Sequence, residues 1–348
     1  MASERRKKIL LAGISVLLTL LFAEAALRIL GIGAIRQGSP WFAGGNHPRY
    51  LFQADPASGY TLRPGLRGRE IAFTHEFETD VAIGPAGIRD HPHTAGPRPA
   101  VLTLGDSMTF GEGVPADRTW SADLERESGI RVYNGGVPGY STCQMTGRAR
   151  ALLPRFHPGL VIVALSPEWD RTRCEDPFLY MGGYIVSERY LARLHLIGGN
   201  LYLGETRLPG LGTATAWAKH VSYVARLALP PLGNAARALT RRNEPPLRPT
   251  PELYEPTAQA LAAIRDQARQ AGAGFLAVLI ESRGPDYEID RANLEKALQA
   301  KGLPYLALDR VRADWPQLRY PLDQHWNEAG HRTVARVLAP LVRTRLSR

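Results

Sequence analysis

Two short segments of this 348-residue chain carry residue types that can do nucleophilic chemistry together. In the first, Leu104-Gly105-Asp106-Ser107, a serine stands three residues beyond the end of an apolar run. A serine hydroxyl is too weakly acidic to ionise unaided and needs a neighbouring base. The second segment, Asp323-Gln324-His325-Trp326-Asn327, offers one. An Asp two residues before a His can accept the imidazole Nδ1–H and leave Nε2 facing out to take the serine's proton. With an ordinary imidazole pKa of about 6.5, turnover should rise over roughly pH 6 to 7. Each segment alone has a plainer reading: Gly-Asp-Ser is an ordinary turn or helix cap, and Asp-x-His an ordinary loop.

The elements around these segments favour the catalytic reading. Ala100 to Leu104, Arg131 to Tyr133, Leu160 to Leu165, Phe275 to Ile280 and Pro304 to Leu308 read as five short strands. A continuous apolar run such as Leu160-Val-Ile-Val-Ala-Leu165 suits a parallel strand covered on both faces. Helical spacing lies between them. Tyr254, Ala258, Leu261 and Ala268 share one stripe that Gly272 ends, and Val334, Val337, Leu338, Leu341, Val342 and Leu346 share another near the C-terminus. Alternating strand and helix predict an α/β fold with a doubly wound parallel sheet. Ser107 then sits at the carboxyl edge of the sheet, where such folds keep their sites. Residues 171–250, with Gly182-Gly183, Gly198-Gly199, Pro230-Pro231 and Pro245-Pro246, break the alternation and read as an insertion with one or two short helices. Residues 35–98 are rich in Gly, Pro and Arg and read as a spacer with loose strands, the main domain beginning near residue 99.

Together the motifs resemble those of the SGNH hydrolase superfamily, the GDSL-type esterases and lipases, over roughly residue 80 to the C-terminus. Gly105-Asp106-Ser107 matches the first family block. Val132-Tyr-Asn-Gly-Gly-Val-Pro-Gly139-Tyr-Ser-Thr142 matches the second, and Asp323 with His325 the last. The resemblance implies a flavodoxin-like five-stranded sheet, Ser107 as nucleophile, His325 as base and Asp323 as its acid partner. It also implies an oxyanion hole from the N–H groups of Ser107 and Gly139, and no metal or organic cofactor. The third block departs. Where the family carries an oxyanion-binding Asn before an Asp, this chain reads Ser166-Pro167-Glu168-Trp169-Asp170. Aligning Asp170 puts Trp169 at the Asn position, with Glu168 or Pro167 there if the alignment shifts. Trp169 is taken as the candidate third donor and a packed rim aromatic as its alternative. Glu168 should point away or be neutralised by Arg171 or Arg173.

Other candidates weigh less. His91 and His93 lie in a Pro-rich loop with no further ligand nearby in sequence, and no metal is expected there. Gly111-Glu112-Gly113 lacks the third glycine of a dinucleotide loop. His331 reads as a packing or solvated histidine. Cys143 follows the second block and Cys174 the third; if their strands are neighbours, a disulfide is open to them in an oxidising compartment, and two thiols otherwise.

The N-terminus sets the compartment. Four positive charges and one negative in residues 1–8 precede Ile9 to Ala23, fifteen residues without a charge. The run reaches nineteen if Glu24 is admitted. By the positive-inside rule residues 1–8 stay in the cytoplasm, and 9–34 form an inner-membrane anchor that leaves the rest facing the periplasm or exterior. A cleaved signal, with Ala23-Glu24-Ala25 as the site, and a buried globular helix are the alternatives. The net charge of +10 does not argue for nucleic acid: only five of the 43 basic residues are Lys, and the basic residues are scattered. The function expected is a membrane-anchored serine esterase for small or polysaccharide carboxylic esters, O-acetyl groups among them. O-acyl transfer by the same residues, or a non-catalytic binding module, are the other readings.

Overall fold

The computed structural model describes residues 2–36, 46–171, 173–240, 249–281, 284–311 and 315–347. The chain opens with α1 (Ala2–Leu30), followed by two hairpins, β1 (Phe52–Asp55) with β2 (Gly59–Leu62) and β3 (Arg67–Ile71) with β4 (Glu78–Ala82). Then come β5 (Ala100–Leu104), α2 (Ser107–Phe110), α3 (Trp120–Ser128), β6 (Arg131–Asn134), α4 (Thr142–Phe156), β7 (Leu160–Leu165) and α5 (Pro167–Asp170). Two further hairpins are β8 (Phe178–Met181) with β9 (Tyr184–Ser187), and β10 (Leu194–Ile197) with β11 (Asn200–Leu203). The rest is α6 (Pro209–Val221), α7 (Tyr223–Thr240), α8 (Glu255–Gln270), β12 (Gly274–Leu279), α9 (Tyr287–Ala300), β13 (Tyr305–Ala307) and α10 (Glu328–Leu346).

All five expected strands form and pair in parallel in the order β13-β12-β7-β5-β6. This is the flavodoxin-like order, and the direction of winding reverses between β5 and β7. Side chains alternate across the sheet as strand geometry demands. Leu102, Leu104, Val161, Val163 and Leu165 enter one core with residues of α4, α8 and α9. Val101, Ile162, Ala164, Leu276 and Val278 enter the other, beneath α3 and α10.

The domain boundaries differ from those expected. The compact unit that holds the sheet comprises Asn46–Glu188 and Leu247–Arg348, so it begins well before residue 99. Residues 46–98 are not a spacer. Leu51, Phe52, Tyr60, Leu62, Val81, Ile83 and Ile88 are buried in the first core. Their strands are too short, and separated by too many Gly and Pro turns, for a period of two to show in the sequence. The first hairpin also braces the second family-like block: Tyr60 donates from its hydroxyl to Pro138 O (2.9 Å), and the Tyr140 hydroxyl donates to Tyr60 O (2.5 Å). Of the expected insertion, residues to Glu188 belong to this unit, while Arg189–Pro246 form a second unit with Met1–Gly45. Pro230 and Pro231, read from sequence as a break, lie inside α7.

Cys143 and Cys174 are disulfide-bonded. Their strands are not neighbours, because β5 lies between β6 and β7. It is the start of α4 and the segment after α5 that meet. Thr142 donates from its N–H (3.0 Å) and hydroxyl (2.7 Å) to the buried Asp170 carboxylate at the same junction.

Candidate active site

Ser107 opens α2 directly beyond β5. Asp106 caps this turn by accepting from Met108 N (2.9 Å). Gly105 is required by a close approach: a Cβ there would lie 2.0 Å from Thr109 Oγ1 and 2.8 Å from Ala164 O. Any side chain would push the serine turn off the strand.

The candidate acid and base lie in the loop before α10. Gln324 takes φ = +75°, a left-handed conformation that lets the side chains either side of it face each other. Asp323 accepts from His325 Nδ1, and His325 Nε2 stands 2.8 Å from Ser107 Oγ. The structure therefore joins Ser107, His325 and Asp323 in one hydrogen-bonded line. The loop is fixed from below by Arg319, which donates to Gln324 O (2.7 Å) and to the buried Glu281 carboxylate (2.8 Å). The Trp326 indole donates to the same carboxylate (2.9 Å).

Around this line lies a set of polar residues that sequence reasoning missed. Glu112, five residues after Ser107, places Oε2 3.7 Å from His325 Nε2. Asn46 Nδ2 bridges Glu112 Oε1 (2.8 Å) and Asp323 Oδ2 (2.9 Å). His47 lies between two carboxylates, Nδ1 at 3.1 Å from Glu70 and Nε2 at 3.3 Å from Glu112. Both ring nitrogens face acceptors, so the imidazolium is the form that satisfies both contacts. Its pKa is accordingly raised: burial opposes the charge, but Glu112 and Glu70 outweigh it. Glu76, from the turn of the second hairpin, accepts from Leu322 N (3.0 Å) and Asp323 N (2.6 Å). The one sequence signal among these was a charged Glu112 between two glycines in an otherwise apolar turn.

These carboxylates change the candidate base. Burial disfavours a charged His325, but Glu112 first, and then Asp323, raise its pKa to about 9. Asp323 stays below the ordinary carboxylate range, since the His325 hydrogen bond and charge outweigh its burial. The rise in activity expected at pH 6 to 7 therefore moves to alkaline pH. A base must be neutral to accept a proton, so kcat/KM should climb as pH approaches about 9. Glu112→Gln removes the leading cause. The midpoint of the pH profile should then fall toward about 6.5. An unmoved midpoint would exclude Glu112 from this role.

Gly139 takes φ = +77°, and a Cβ on it would lie 2.5 Å from Phe178 Cδ2. Among the described residues neither the Gly139 nor the Ser107 N–H has a hydrogen-bond partner, which leaves both available as oxyanion donors. The described contacts of Trp169 are made by its ring. Its ring lies against Phe178 (6.2 Å between centroids) and under the Arg173 guanidinium (4.7 Å), and it is 43% exposed. Phe178 is also the ring that abuts Gly139, so Trp169 stands beside the Gly139 turn, half exposed at its rim. The Glu168 carboxylate lies against Gly284, and Arg171 pairs with Asp290 (3.2 Å).

His331 is fully buried and accepts from Trp120 N at Nδ1 (3.0 Å). Burial, with Arg89 and His325, lowers its pKa to about 3, so it is a neutral packing residue. His91 and His93 do find a further acidic neighbour, Glu125, at 3.4 and 2.8 Å. Glu125 also accepts from the N–H groups of Thr94 (2.6 Å), Ala95 (2.9 Å) and Val132 (3.0 Å). The cluster therefore ties the loop before β5 to α3 and β6. Burial alone would raise the Glu125 pKa, but these donors bring it down to about 2. A depressed carboxylate stabilises the fold above its unfolded pKa and loses that contribution as pH falls through the folded value. Glu125→Gln should therefore flatten the acid limb of a stability–pH curve between about pH 4.5 and 2. An acid limb unchanged by the substitution would contradict this assignment.

No protein-family model matches the chain, and no curated protein does. Solved structures do. A protein of the G-D-S-L lipolytic family from Desulfitobacterium hafniense is 15% identical, with TM-score 0.41, over 70% of this chain and 99% of that one. The esterase EstA from Pseudoalteromonas sp. is 13% identical, with TM-score 0.35, over 72% of this chain and 94% of that one. A family two carbohydrate esterase from Cellvibrio japonicus is 13% identical, with TM-score 0.38, over 75% of this chain and 65% of that one. At this degree of likeness, function is read from the residues of the site itself.

Proposed function

We propose that the protein is a serine esterase held at the inner membrane by α1, with its sheet-bearing unit on the periplasmic or outer side. One observation carries the chemistry: Ser107 Oγ, His325 and Asp323 stand in hydrogen-bonded line at the carboxyl edge of a parallel sheet. Ser107 Oγ attacks the ester carbonyl while His325 Nε2 takes its proton. The N–H groups of Ser107 and Gly139 receive the oxyanion. The tetrahedral adduct collapses, His325 protonates the leaving alcohol, and water, activated by the same nitrogen, releases the acid and frees Ser107. Asp323 holds the imidazole in the reactive tautomer, and Asp323 with Glu112 stabilises the imidazolium that forms at each step.

The exported location is supported by the basic start, the apolar length of α1 and the disulfide, a bond that persists in oxidising compartments. The substrate class proposed is an O-acyl ester, with acetyl groups on an envelope or exported polysaccharide as the leading case. The test is labelling with a serine-directed phosphonate, then product analysis on acetylated polysaccharide. Covalent modification at Ser107 with release of free acetate supports the reading. Acetate recovered only on an added sugar acceptor would make the protein a transferase, and no labelling would make it a binding module.

A further inference from the structure

The second compact unit, Met1–Gly45 with Arg189–Pro246, carries a surface the esterase chemistry does not use. Residues 4 to 22 of α1 are exposed all round, and cover begins only at Ala23, with Glu24, Ala26 and Leu27 also half-buried. The cover is the corner between α6 and α7. Glu24 accepts from Ser222 Oγ (2.8 Å), Tyr223 N (3.0 Å) and Val224 N (3.0 Å), and so caps α7. It also pairs with Arg28 (2.7 Å), which donates to Val221 O (2.5 Å). The residue that interrupts the apolar run is thus the one that fastens it to the insertion.

The lengths then place the corner. The uncharged, uncovered stretch from Ile9 to Phe22 spans about 21 Å at 1.5 Å per residue. A bilayer's hydrocarbon core is about 30 Å thick. The missing length of about 9 Å corresponds to about six further residues of α1, nearly two turns. Those are the turns that α6 and α7 cover, so a bilayer that fits α1 must also meet the corner.

The outward face of the corner suits lipid. Between Leu208 and Ala236 the only Lys and Arg residues are Lys219 and Arg226, and there is no Asp or Glu. Both cations turn inward: Lys219 to Leu203 O (2.6 Å) and Glu205, Arg226 to the carbonyls of Lys219 (2.6 Å), Gly33 (2.8 Å) and His220 (2.9 Å). The large side chains that remain outside are apolar: Leu208 is 64% exposed, Leu211 56%, Trp217 51%, Val221 57% and Leu232 65%. Leu211, Ala214, Trp217 and Val221 recur at helical spacing along one face of α6. A soluble surface rarely gathers so many large apolar residues, and a tryptophan among them is typical of the membrane–water boundary.

We infer that α6 and the first half of α7 lie in the outer boundary of the bilayer that α1 crosses, with this face against lipid. The inference rests on the reading of α1 as a membrane span, and the experiment separates the two. The chain's only two cysteines are bonded to each other, so one introduced cysteine can carry a fluorophore. Leu18→Cys reports the span, Trp217→Cys and Leu211→Cys the corner, in full-length protein reconstituted in phosphatidylethanolamine–phosphatidylglycerol vesicles. Leu18→Cys should be quenched most by lipids nitroxide-labelled deep in the acyl chain, and the corner labels most by lipids labelled near the headgroup. Corner labels quenched by aqueous iodide but by no lipid, with Leu18→Cys still quenched, would overturn the inference and leave the anchor intact. Corner labels reached by neither quencher would mean that protein covers the face, which also overturns it. An unquenched Leu18→Cys would remove the span and the inference together.

Discussion

Ser107→Ala is expected to lower kcat on a chromogenic acetyl ester by about a million-fold, the scale seen when a triad nucleophile is deleted elsewhere. His325→Ala should fall to the same floor, and the double variant no further, because the two act as one unit. The floor should still lie above the rate in water, since the Ser107 and Gly139 N–H groups survive both substitutions and stabilise the oxyanion independently. Asp323→Asn should cost less, about 10⁴-fold, because it spoils the tautomer and leaves the nucleophile and base in place. A Ser107→Ala variant within about tenfold of the parent would exclude the serine mechanism, since nothing else in that mechanism could then be the nucleophile.

The largest effect on stability is expected at Arg319. Its guanidinium donates to the Glu281 carboxylate at 2.8 and 3.1 Å, and the two side chains are only 8% and 7% exposed. Removing it leaves, among the described residues, the Trp326 indole as the one side-chain donor to a carboxylate under cover. Breaking such a buried pair costs about 3–5 kcal/mol. The half-exposed pair Arg69–Glu78, at 2.7 Å, is a fair control, and cutting it should cost about 0–1 kcal/mol. Arg319→Ala should therefore shift a urea midpoint clearly where Arg69→Ala does not. It should also lower activity, because Arg319 holds the Gln324 carbonyl between Asp323 and His325. Equal shifts from the two variants would show that the Glu281 cluster is not what secures the loop.

The parts of this molecule that announced themselves in sequence are those with local signals. Leu160-Val-Ile-Val-Ala-Leu165 is apolar throughout because both faces of its strand are covered, and that shows in any window of six residues. Ser107 and the Asp323–His325 pair showed because each sits in a short motif whose residue types make chemical sense at that spacing. The carboxylates that raise the His325 pKa did not. Glu112 and Asn46 meet across 66 positions, and Asn46 and Asp323 across 277, so no local pattern joins them. The hairpins that bring Asn46, His47, Glu70 and Glu76 to the site carry only one or two buried residues per strand. Flanked by Gly and Pro, they looked like spacer. The tie from Glu24 to the start of α7 was hidden for the same reason: a lone acid in an apolar run reads as an interruption until its distant partners are known.

The clasp of Asn46 on Glu112 and Asp323 also has a consequence in time. The ribosome finishes the residues that will cradle the base almost the whole length of the chain before it makes the base. Until the last few dozen residues emerge, Glu70 and Glu112 have His47 between them but no His325 beside them. The nucleophile's turn can fold on β5 while still unable to act. Activity should therefore be the last property a refolding sample regains, after the helical signal and after burial of Trp120, because a contact that spans 277 positions is slow to find.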